Sequence, residues 1–321
     1  MAPPLKWLTI RPESYFFYGP FLNIGSGTTN NKTLETTNIM KAQTPYFAIW
    51  ALPFLATAAL AQVELTDNLS VSGFVDAAYT NTDDGTTSSE NLALDEAEVD
   101  FLFSLDTVSG EVHLQTAGDN IELEQAFVTY DLGNGVAISA GRYLSLLGFE
   151  TDEKVNRYTR SYSYDLSAPI PLYNDGIKLE AVSDQGWLAI SLLEEVWDGF
   201  GPGNIDDGAL GLEIQAGFTG QQGFTAVVGY GGQDTGDTKA NAEIFNVWVS
   251  YESGPLILAA EYNDFSNAGR EGNTGDSMMV LSRYAINEKT SITGRYSEEN
   301  LDNGGGEAQK WSVAPHYSFT D

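Results

Sequence analysis

Apolar and polar side chains alternate along most of the chain after residue 61. In residues 69–80, for example, Val71, Val75 and Tyr79 fall on one face and Ser72 falls on the other. A period of two residues predicts β-strands whose two faces meet different surroundings. Fourteen segments show this period, the last at residues 309–319, and no convincing helical period appears after residue 61. The chain is therefore predicted to be all-β.

The links between these segments alternate in length. Short turns fall near 106–109, 133–135, 184–186, 219–222, 253–255 and 287–289. Longer polar links fall at 81–91, 146–174, 196–206, 231–242, 265–275 and 297–308, and only 118–121 is short where a long link is due. Short turns on one rim and long loops on the other predict a transmembrane antiparallel up-and-down β-barrel, with both chain ends on the periplasmic side.

Outward aromatic side chains recur at the ends of the predicted strands. Strands that run toward the long loops end in Tyr79, Tyr230, Tyr262 and Tyr296. Strands that run toward the short turns end in Tyr130, Phe218, Tyr251, Tyr284 and Tyr317. Two belts of aromatic residues, one around each rim, are typical of membrane barrels. A soluble β-sandwich would also alternate, but it predicts neither the two belts nor the rhythm of the links.

The link at residues 146–174 is the longest, with 29 residues that show no alternation. An irregular stretch of this length in a compact domain is usually functional. It contains Lys154, Arg157 and Arg160, and as the third external loop we expect it to fold inward and narrow the pore. Cations opposed to acidic walls across a constriction would sort solutes by charge. An ordinary surface loop with neutralised charges is the alternative.

Arg142 precedes this loop on a strand whose strict alternation would point it at lipid, together with Ile138. A β-bulge at Gly141 would turn Arg142 inward and leave Tyr143 facing out, which is the cheaper arrangement. We therefore assign Arg142 to the predicted constriction with the three loop cations.

The inward faces of the predicted strands are rich in charge. Acidic residues on these faces are Asp76, Glu96, Glu98, Asp100, Glu111, Glu180, Glu213 and Glu261. Basic residues on these faces are Lys178, Arg283, Arg295 and Lys310. Such side chains are costly against lipid and cheap in water, so they indicate a water-filled channel. A plugged barrel in which the charges merely pair is the alternative.

Residues 40–61 have the features of a secretory signal peptide. A short basic start at Met40-Lys41 is followed by an apolar middle and the small-residue ending Ala59-Leu60-Ala61. Cleavage is expected after Ala61. Because a signal peptide belongs at the N-terminus, residues 1–39 are interpreted as an upstream extension from a wrongly assigned start. Residues 62–321 would then form the barrel, with 11 of the 15 basic and 43 of the 45 acidic residues.

Composition excludes several classes of function. The chain has no cysteine, so it has neither a disulfide framework nor a thiolate metal site. A net charge of −30 argues against nucleic acid as a partner. The two histidines, His113 and His316, fall on separate strands without a nucleophile motif, and we interpret both as polar residues of the lumen. We expect no enzyme activity, no cofactor and no metal site.

Several segments together resemble one family. The chain reads GFVDAAYT from residue 73, EQAFVTYDL from 124, AGRYLSLLGFE from 140 and NRYTRSYSYDLSAPIPLYNDGIKL from 156. Their order is similar to that of the OmpL-like family of β-barrel porins of Gram-negative bacteria. The resemblance implies an outer-membrane location and contact with outer-membrane lipid. The family resembles outer-membrane proteins whose last strand ends on a C-terminal aromatic residue, whereas in this chain Phe319 lies two residues before the end. A truncated barrel of about sixteen strands is therefore an alternative to a barrel of fourteen.

The resemblance and the lumen charges together predict an outer-membrane porin. We expect a water-filled diffusion channel for ions and small hydrophilic solutes that prefers cations, because acids outnumber bases on the lumen walls. The alternative is a structural or adhesive barrel with a closed lumen. Three such barrels could assemble as a homotrimer, and the sequence does not determine whether they do.

Overall fold

The structure is a computed structural model. It describes residues 62–83, 88–117, 120–197, 210–220, 223–234, 241–269, 272–302 and 306–319. The predicted upstream extension and signal peptide lie outside the described residues.

Fifteen β-strands make up the regular structure of the described residues. They are β1 (Val63–Thr66), β2 (Leu69–Asp83), β3 (Ser88–Leu105), β4 (Val108–Ala117), β5 (Asn120–Gly133), β6 (Val136–Leu144), β7 (Tyr173–Ser183), β8 (Gly186–Leu193), β9 (Gly211–Thr219), β10 (Phe224–Gln233), β11 (Ala242–Ser253), β12 (Leu256–Ala268), β13 (Asn273–Ala285), β14 (Thr290–Leu301) and β15 (Gly306–Tyr317). Each pairs antiparallel with the next in one consecutive sheet. The predicted all-β up-and-down architecture is confirmed. The additional strand is β1, whose four residues are too few to show a period.

Within the described ranges, no helix has both the length and the apolarity needed to cross a membrane.

The strands extend further toward the long loops than alternation predicts. Residues 81–83 and 88–91, assigned to a link, belong to the β2–β3 ladder, and 297–301 likewise belongs to β14. The links 265–275 and 297–308 are therefore mostly strand. Backbone pairing continues beyond the membrane, where no lipid face requires apolar side chains.

The two faces of the sheet differ in composition. Phe101, Val128, Val249 and Leu258 on the outer face are exposed at 38–46 %. Residues of opposite parity point inward, and Asn246 on β11 has no exposed surface. A barrel satisfies its backbone groups between strands, so the outer side chains alone must suit the lipid.

The predicted aromatic residues lie on this outer face. Tyr230 and Tyr262 are exposed at 38 % and 41 %; Tyr230 lies near the end of β10 that approaches a long loop, and Tyr262 lies at the middle of β12, which extends further than predicted. Phe218, Tyr251 and Tyr284 are exposed at 37–51 % near the short turns. The arrangement fits two interfacial girdles.

The first and last parts of the sheet meet around the third loop, residues 145–172. On β15, His316 Nε2 lies 2.7 Å from the Tyr158 carbonyl oxygen. Two residues further along the loop, Arg160 Nη1 lies 2.8 Å from Asp76 Oδ2 on β2. One short stretch therefore contacts both ends of the sheet, so the sheet is rolled into a barrel. The ladders of the described strands run from β1 to β15 and do not pair those two strands with each other.

The core sits inside the barrel, between the third loop and the strand walls. One cluster packs Leu147 of the loop with Tyr143, Ile244 and Phe265 of the walls. A second packs Phe149 against Trp248, with ring centroids 5.5 Å apart. Apolar residues of the loop and apolar residues of the inner wall thus form this core together.

Candidate functional site: the third loop within the barrel

The third loop leaves the sheet after Leu144 and turns at once onto the inner wall at β9. Glu213 on β9 accepts hydrogen bonds from Ser145 Oγ at 2.6 Å and from the Leu146 backbone N–H at 2.9 Å. Glu213 and Leu146 have no exposed surface. The carboxylate therefore satisfies donors of an irregular segment that has no ladder of its own.

A second wall carboxylate holds the middle of the loop. Glu261 on β12 accepts from the Phe149 N–H at 2.8 Å and from the Tyr164 hydroxyl at 3.1 Å. Next to it, Asn246 on β11 accepts from the Gly148 N–H at 3.3 Å. The early part of the loop, at Phe149, and its later part, at Tyr164, are thus both hydrogen-bonded to Glu261.

A third carboxylate holds the returning part of the loop. Glu299 on β14 accepts from Leu166 N at 2.9 Å, Ser167 N at 2.8 Å and Ser167 Oγ at 2.6 Å. The alternation pattern does not single Glu299 out, because it predicts that the strand ends before this residue. A cavity of about 370 Å³ lies beside it, lined by Ser163, Asp165, Leu166, Ser297, Glu299, Ala308, Gln309 and Lys310.

Two of the three predicted loop cations form ion pairs with β2 and β3. Lys154 Nζ lies 2.9 Å from Asp95 Oδ2 and 3.7 Å from Glu96 Oε2. Arg160 Nη1 lies 2.8 Å from Asp76 Oδ2, and Arg160 also contacts Asp95. Lys154 and Arg160 are therefore in contact with the acidic wall, and they do not face it across an open gap as predicted.

A β-bulge makes this arrangement possible. The β2–β3 register shifts between Asp76 and Ala77, so that Asp95 is an extra residue on β3. Both Asp95 and the next residue, Glu96, consequently reach Lys154. Strict alternation would place only one of two consecutive side chains in the lumen.

The third predicted cation, Arg157, is only 4 % exposed, and its guanidinium carbon lies 3.8 Å from the centre of the Tyr162 ring. This is the geometry of a cation–π contact. Burial raises the pKa of the Tyr162 and Tyr164 phenols, with nearby carboxylates adding to the effect, so both hydroxyls remain neutral donors. Tyr162 donates to Asp152 and Tyr164 to Glu261.

Basic residues of the last two strands hold the same part of the loop from the other side. Arg295 on β14 pairs with Glu150 and donates to the carbonyl oxygens of Ser161 at 2.7 Å and Tyr162 at 2.8 Å. Lys310 on β15 donates to the Tyr162 carbonyl oxygen at 2.8 Å. The loop therefore bridges acidic strands on one side of the lumen and basic side chains on the other.

The profile of a protein family described as "Putative beta-barrel porin-2, OmpL-like" matches residues 68–312. The chain belongs to this OmpL-like porin family. No curated protein sequence matches the chain.

Solved structures share the fold of this OmpL-like barrel. Salmonella typhi OmpF, in complex with daunomycin, has 14 % identity and a TM-score of 0.60, and the match covers 81 % of this chain and 89 % of that one. Vibrio cholerae OmpT, an outer-membrane protein, has 15 % identity and a TM-score of 0.52, with coverage of 81 % and 85 %. These similarities support the barrel architecture.

Arg142 does not join the constriction of the OmpL-like barrel. The β5–β6 and β6–β7 ladders keep their register through Gly141, so no bulge occurs there. Arg142 stays on the outer face, where its Nη1 lies 3.4 Å from Asp175 Oδ2, while Tyr143 points inward and has no exposed surface. The prediction was wrong because an outward arginine near a rim can pair with a carboxylate of the neighbouring strand, which lowers its cost.

The remaining predicted lumen residues lie on the inner face. Lys178 Nζ is 3.1 Å from Glu180 Oε2 on the same strand and 5.2 Å from the centre of the Tyr143 ring. The guanidinium carbon of Arg283 lies 5.8 Å from the centre of the Tyr158 ring in the loop. Every predicted basic residue of the lumen thus has an aromatic or acidic neighbour.

The acidic residues of β3 and β4 converge on His113. Its Nδ1 lies 3.0 Å from Glu98 and 3.3 Å from Asp100, and its Nε2 lies 3.0 Å from Glu111. Alternation placed these four residues on one face. It missed Glu124 of β5, whose carboxylate also approaches His113 Nδ1, at 4.0 Å. The one available signal was that Glu124 carries a charge at a position whose parity points to lipid.

Proposed function

We propose that the chain is an outer-membrane porin whose lumen is a water-filled, cation-preferring diffusion channel for ions and small polar solutes. The observation that carries this proposal is the position of the third loop inside the barrel. The loop is bonded to β2 and β3 on one side and to β14 and β15 on the other. A loop in this position narrows the lumen and sets the size and charge of what passes. The cavity beside Glu299, with Asp165 and Lys310 in its lining, leaves open space along the loop.

The sign of selectivity follows from the fixed charges. Lys154 and Arg160 neutralise acids of β2 and β3, while the third loop and the outer links add further carboxylates. A surplus of fixed negative charge concentrates cations in a narrow aqueous path, and salt screens this effect over about 10 Å at 0.1 M. The preference for cations should therefore be clearest at low ionic strength.

The test is the reversal potential of the purified protein in planar bilayers under a salt gradient. The triple variant K154Q/R157Q/R160Q removes the loop cations and exposes Asp76, Asp95 and Glu96, so its cation preference should rise. K289Q is the matched control, because Lys289 lies in the short turn between β13 and β14. An anion-selective wild type would contradict the proposal, and equal reversal potentials for the triple variant and K289Q would remove the loop from the permeation path.

A closed structural or adhesive barrel is the second candidate. It is favoured by the loop's many contacts, which join it to β2, β3, β9, β12, β14 and β15. The two candidates differ in conductance. A folded protein that inserts into bilayers and passes no current would support the closed barrel.

Export completes the proposal. We propose that residues 40–61 act as a signal peptide that directs the barrel to export. The secreted product should begin at Gln62, and N-terminal sequencing that finds Met1 on the mature protein would contradict this.

A further inference from the structure

The inner wall of β3, β4 and β5 holds a group of buried carboxylates around one imidazole. Four carboxylates, from Glu98, Asp100, Glu111 and Glu124, lie within 4.0 Å of the ring nitrogens of His113. His113 has no exposed surface, and each of the four acids is at most 7 % exposed. A single imidazolium could neutralise only one of them, and buried charge is costly unless it is paired or bound to metal.

The surroundings of His113 leave one ring nitrogen able to bind a metal ion. Nε2 lies 3.0 Å from Glu111 Oε2, so Nε2–H can donate to this carboxylate. In that tautomer, Nδ1 presents its lone pair toward Glu98, Asp100 and Glu124, and the Gln125 amide nitrogen lies 3.4 Å from it. A carboxylate that fixes one ring nitrogen while the other faces the ion is the usual outer partner of a metal-binding histidine.

A register shift and a residue of the third loop bring two further carboxylates near His113 Nδ1. The β4–β5 register shifts between His113 and Leu114, which turns both Glu124 and Gln125 inward and leaves them 1 % and 0 % exposed. The third loop contributes Glu153, which is 5 % exposed. One ligand atom each from His113, Glu98, Glu124 and Glu153 lies within 4.8 Å of all the others.

The carboxylate of Glu98 points to a ligand independently. Its side chain has no exposed surface, and its Oε2 makes no hydrogen bond. A buried carboxylate oxygen without a donor loses the solvation of water and receives nothing in return. A cation within the group would supply the missing interaction.

We propose that His113, Glu98, Glu124 and Glu153 bind one divalent transition-metal ion in the barrel wall. Metal–ligand distances of about 2.0–2.2 Å place opposite ligands roughly 4.2 Å apart, so small side-chain shifts would close the group on one ion. Imidazole favours Zn²⁺ and its neighbours, whereas an all-oxygen site would suit Ca²⁺ or Mg²⁺. The ion links three strands to the third loop through Glu153, so its binding also secures the loop.

The test is titration of Zn²⁺ into the chelator-treated full-length barrel, with the metal content of the dialysed protein measured by elemental analysis. The wild type should hold one equivalent. H113Q and E98Q should lose binding, and E111Q should weaken it by roughly 10- to 100-fold, as loss of an outer partner does. H316Q is the matched control, because the other histidine donates from Nε2 to the loop carbonyl oxygen of Tyr158 and lies outside the group.

E153Q keeps the test decisive if changes on the strands impair folding, since Glu153 belongs to the loop and not to the sheet. Folding of each variant is checked by its heat-dependent electrophoretic mobility. The proposal is overturned if the wild type retains no stoichiometric Zn²⁺, which would leave shared protons as the way the carboxylates coexist. It is also overturned if H113Q, E98Q and E153Q bind as the wild type does, or if Ca²⁺ binds equally well without regard to His113.

Discussion

Glu299 offers the most direct way to release the third loop without touching the loop itself. Its carboxylate accepts three hydrogen bonds, from Leu166 N, Ser167 N and Ser167 Oγ. In E299A all three donors lose their acceptor. The neighbouring Glu298 is the matched control, because it lies on the other face of β14 and its bonds go to Tyr296, Asn300 and Gln309.

The magnitude follows from the number and type of these bonds. A hydrogen bond to a charged group contributes about 1.5–3 kcal/mol, so three of them set an upper limit of roughly 4–9 kcal/mol. Water that enters the adjoining cavity of about 370 Å³ would satisfy part of what is lost. We therefore expect a net loss of about 2–4 kcal/mol of loop anchoring, a roughly 30- to 700-fold shift toward the released loop.

The assay is single-channel conductance in planar bilayers. The expected result is a larger conductance, with more frequent fluctuation between levels, in E299A than in wild type. E298A should conduct as the wild type does. E299Q, which keeps one carbonyl oxygen as acceptor, should fall between them.

Two results would refute this reasoning. If folded E299A and E298A conduct identically, then either the returning part of the loop is not in the path or Glu213 and Glu261 alone hold it. If E299A fails to fold, while E299Q folds and conducts as the wild type does, then Glu299 stabilises the barrel and does not set its bore.

Two further predictions concern the barrel itself. V249R places a charge in the middle of the lipid face and should lower the free energy of unfolding by about 2–4 kcal/mol, measured by denaturant titration. The control S253R, on the same face beside a turn, should lower it by only about 0–1 kcal/mol. Equal losses for the two variants would mean that this face is not in lipid. G217A should lower the free energy of unfolding by about 1–3 kcal/mol, because a Cβ there would lie 2.0 Å from the Trp187 indole. The control G294A, with no atom within 4 Å of the added Cβ, should leave the free energy of unfolding nearly unchanged. The reverse order would contradict the packing of Trp187 over Gly217.

The local alternation of the chain was enough to determine the strands and the side of the wall on which most charges lie. Lipid on one face and a polar interior on the other impose this period on each strand separately, so no knowledge of its neighbours is required. The same argument explains why the lumen residues of β3, β7, β9 and β12 could be assigned from sequence, and why the four-residue β1 could not.

Only the tertiary structure decided what those charges contact. The bulges at Asp95 and Glu124 exist through pairing with a partner strand, and the residues around them do not reveal which neighbour will be turned inward. The partners of the third loop lie far away in sequence: Glu299 follows Ser167 by 132 residues. An irregular segment has no period to read, because its backbone groups must be satisfied one by one by whatever wall the closed barrel brings near. For this reason the sequence alone predicts solvated wall acids in the lumen, whereas in the folded protein several of them are buried acceptors that hold the loop.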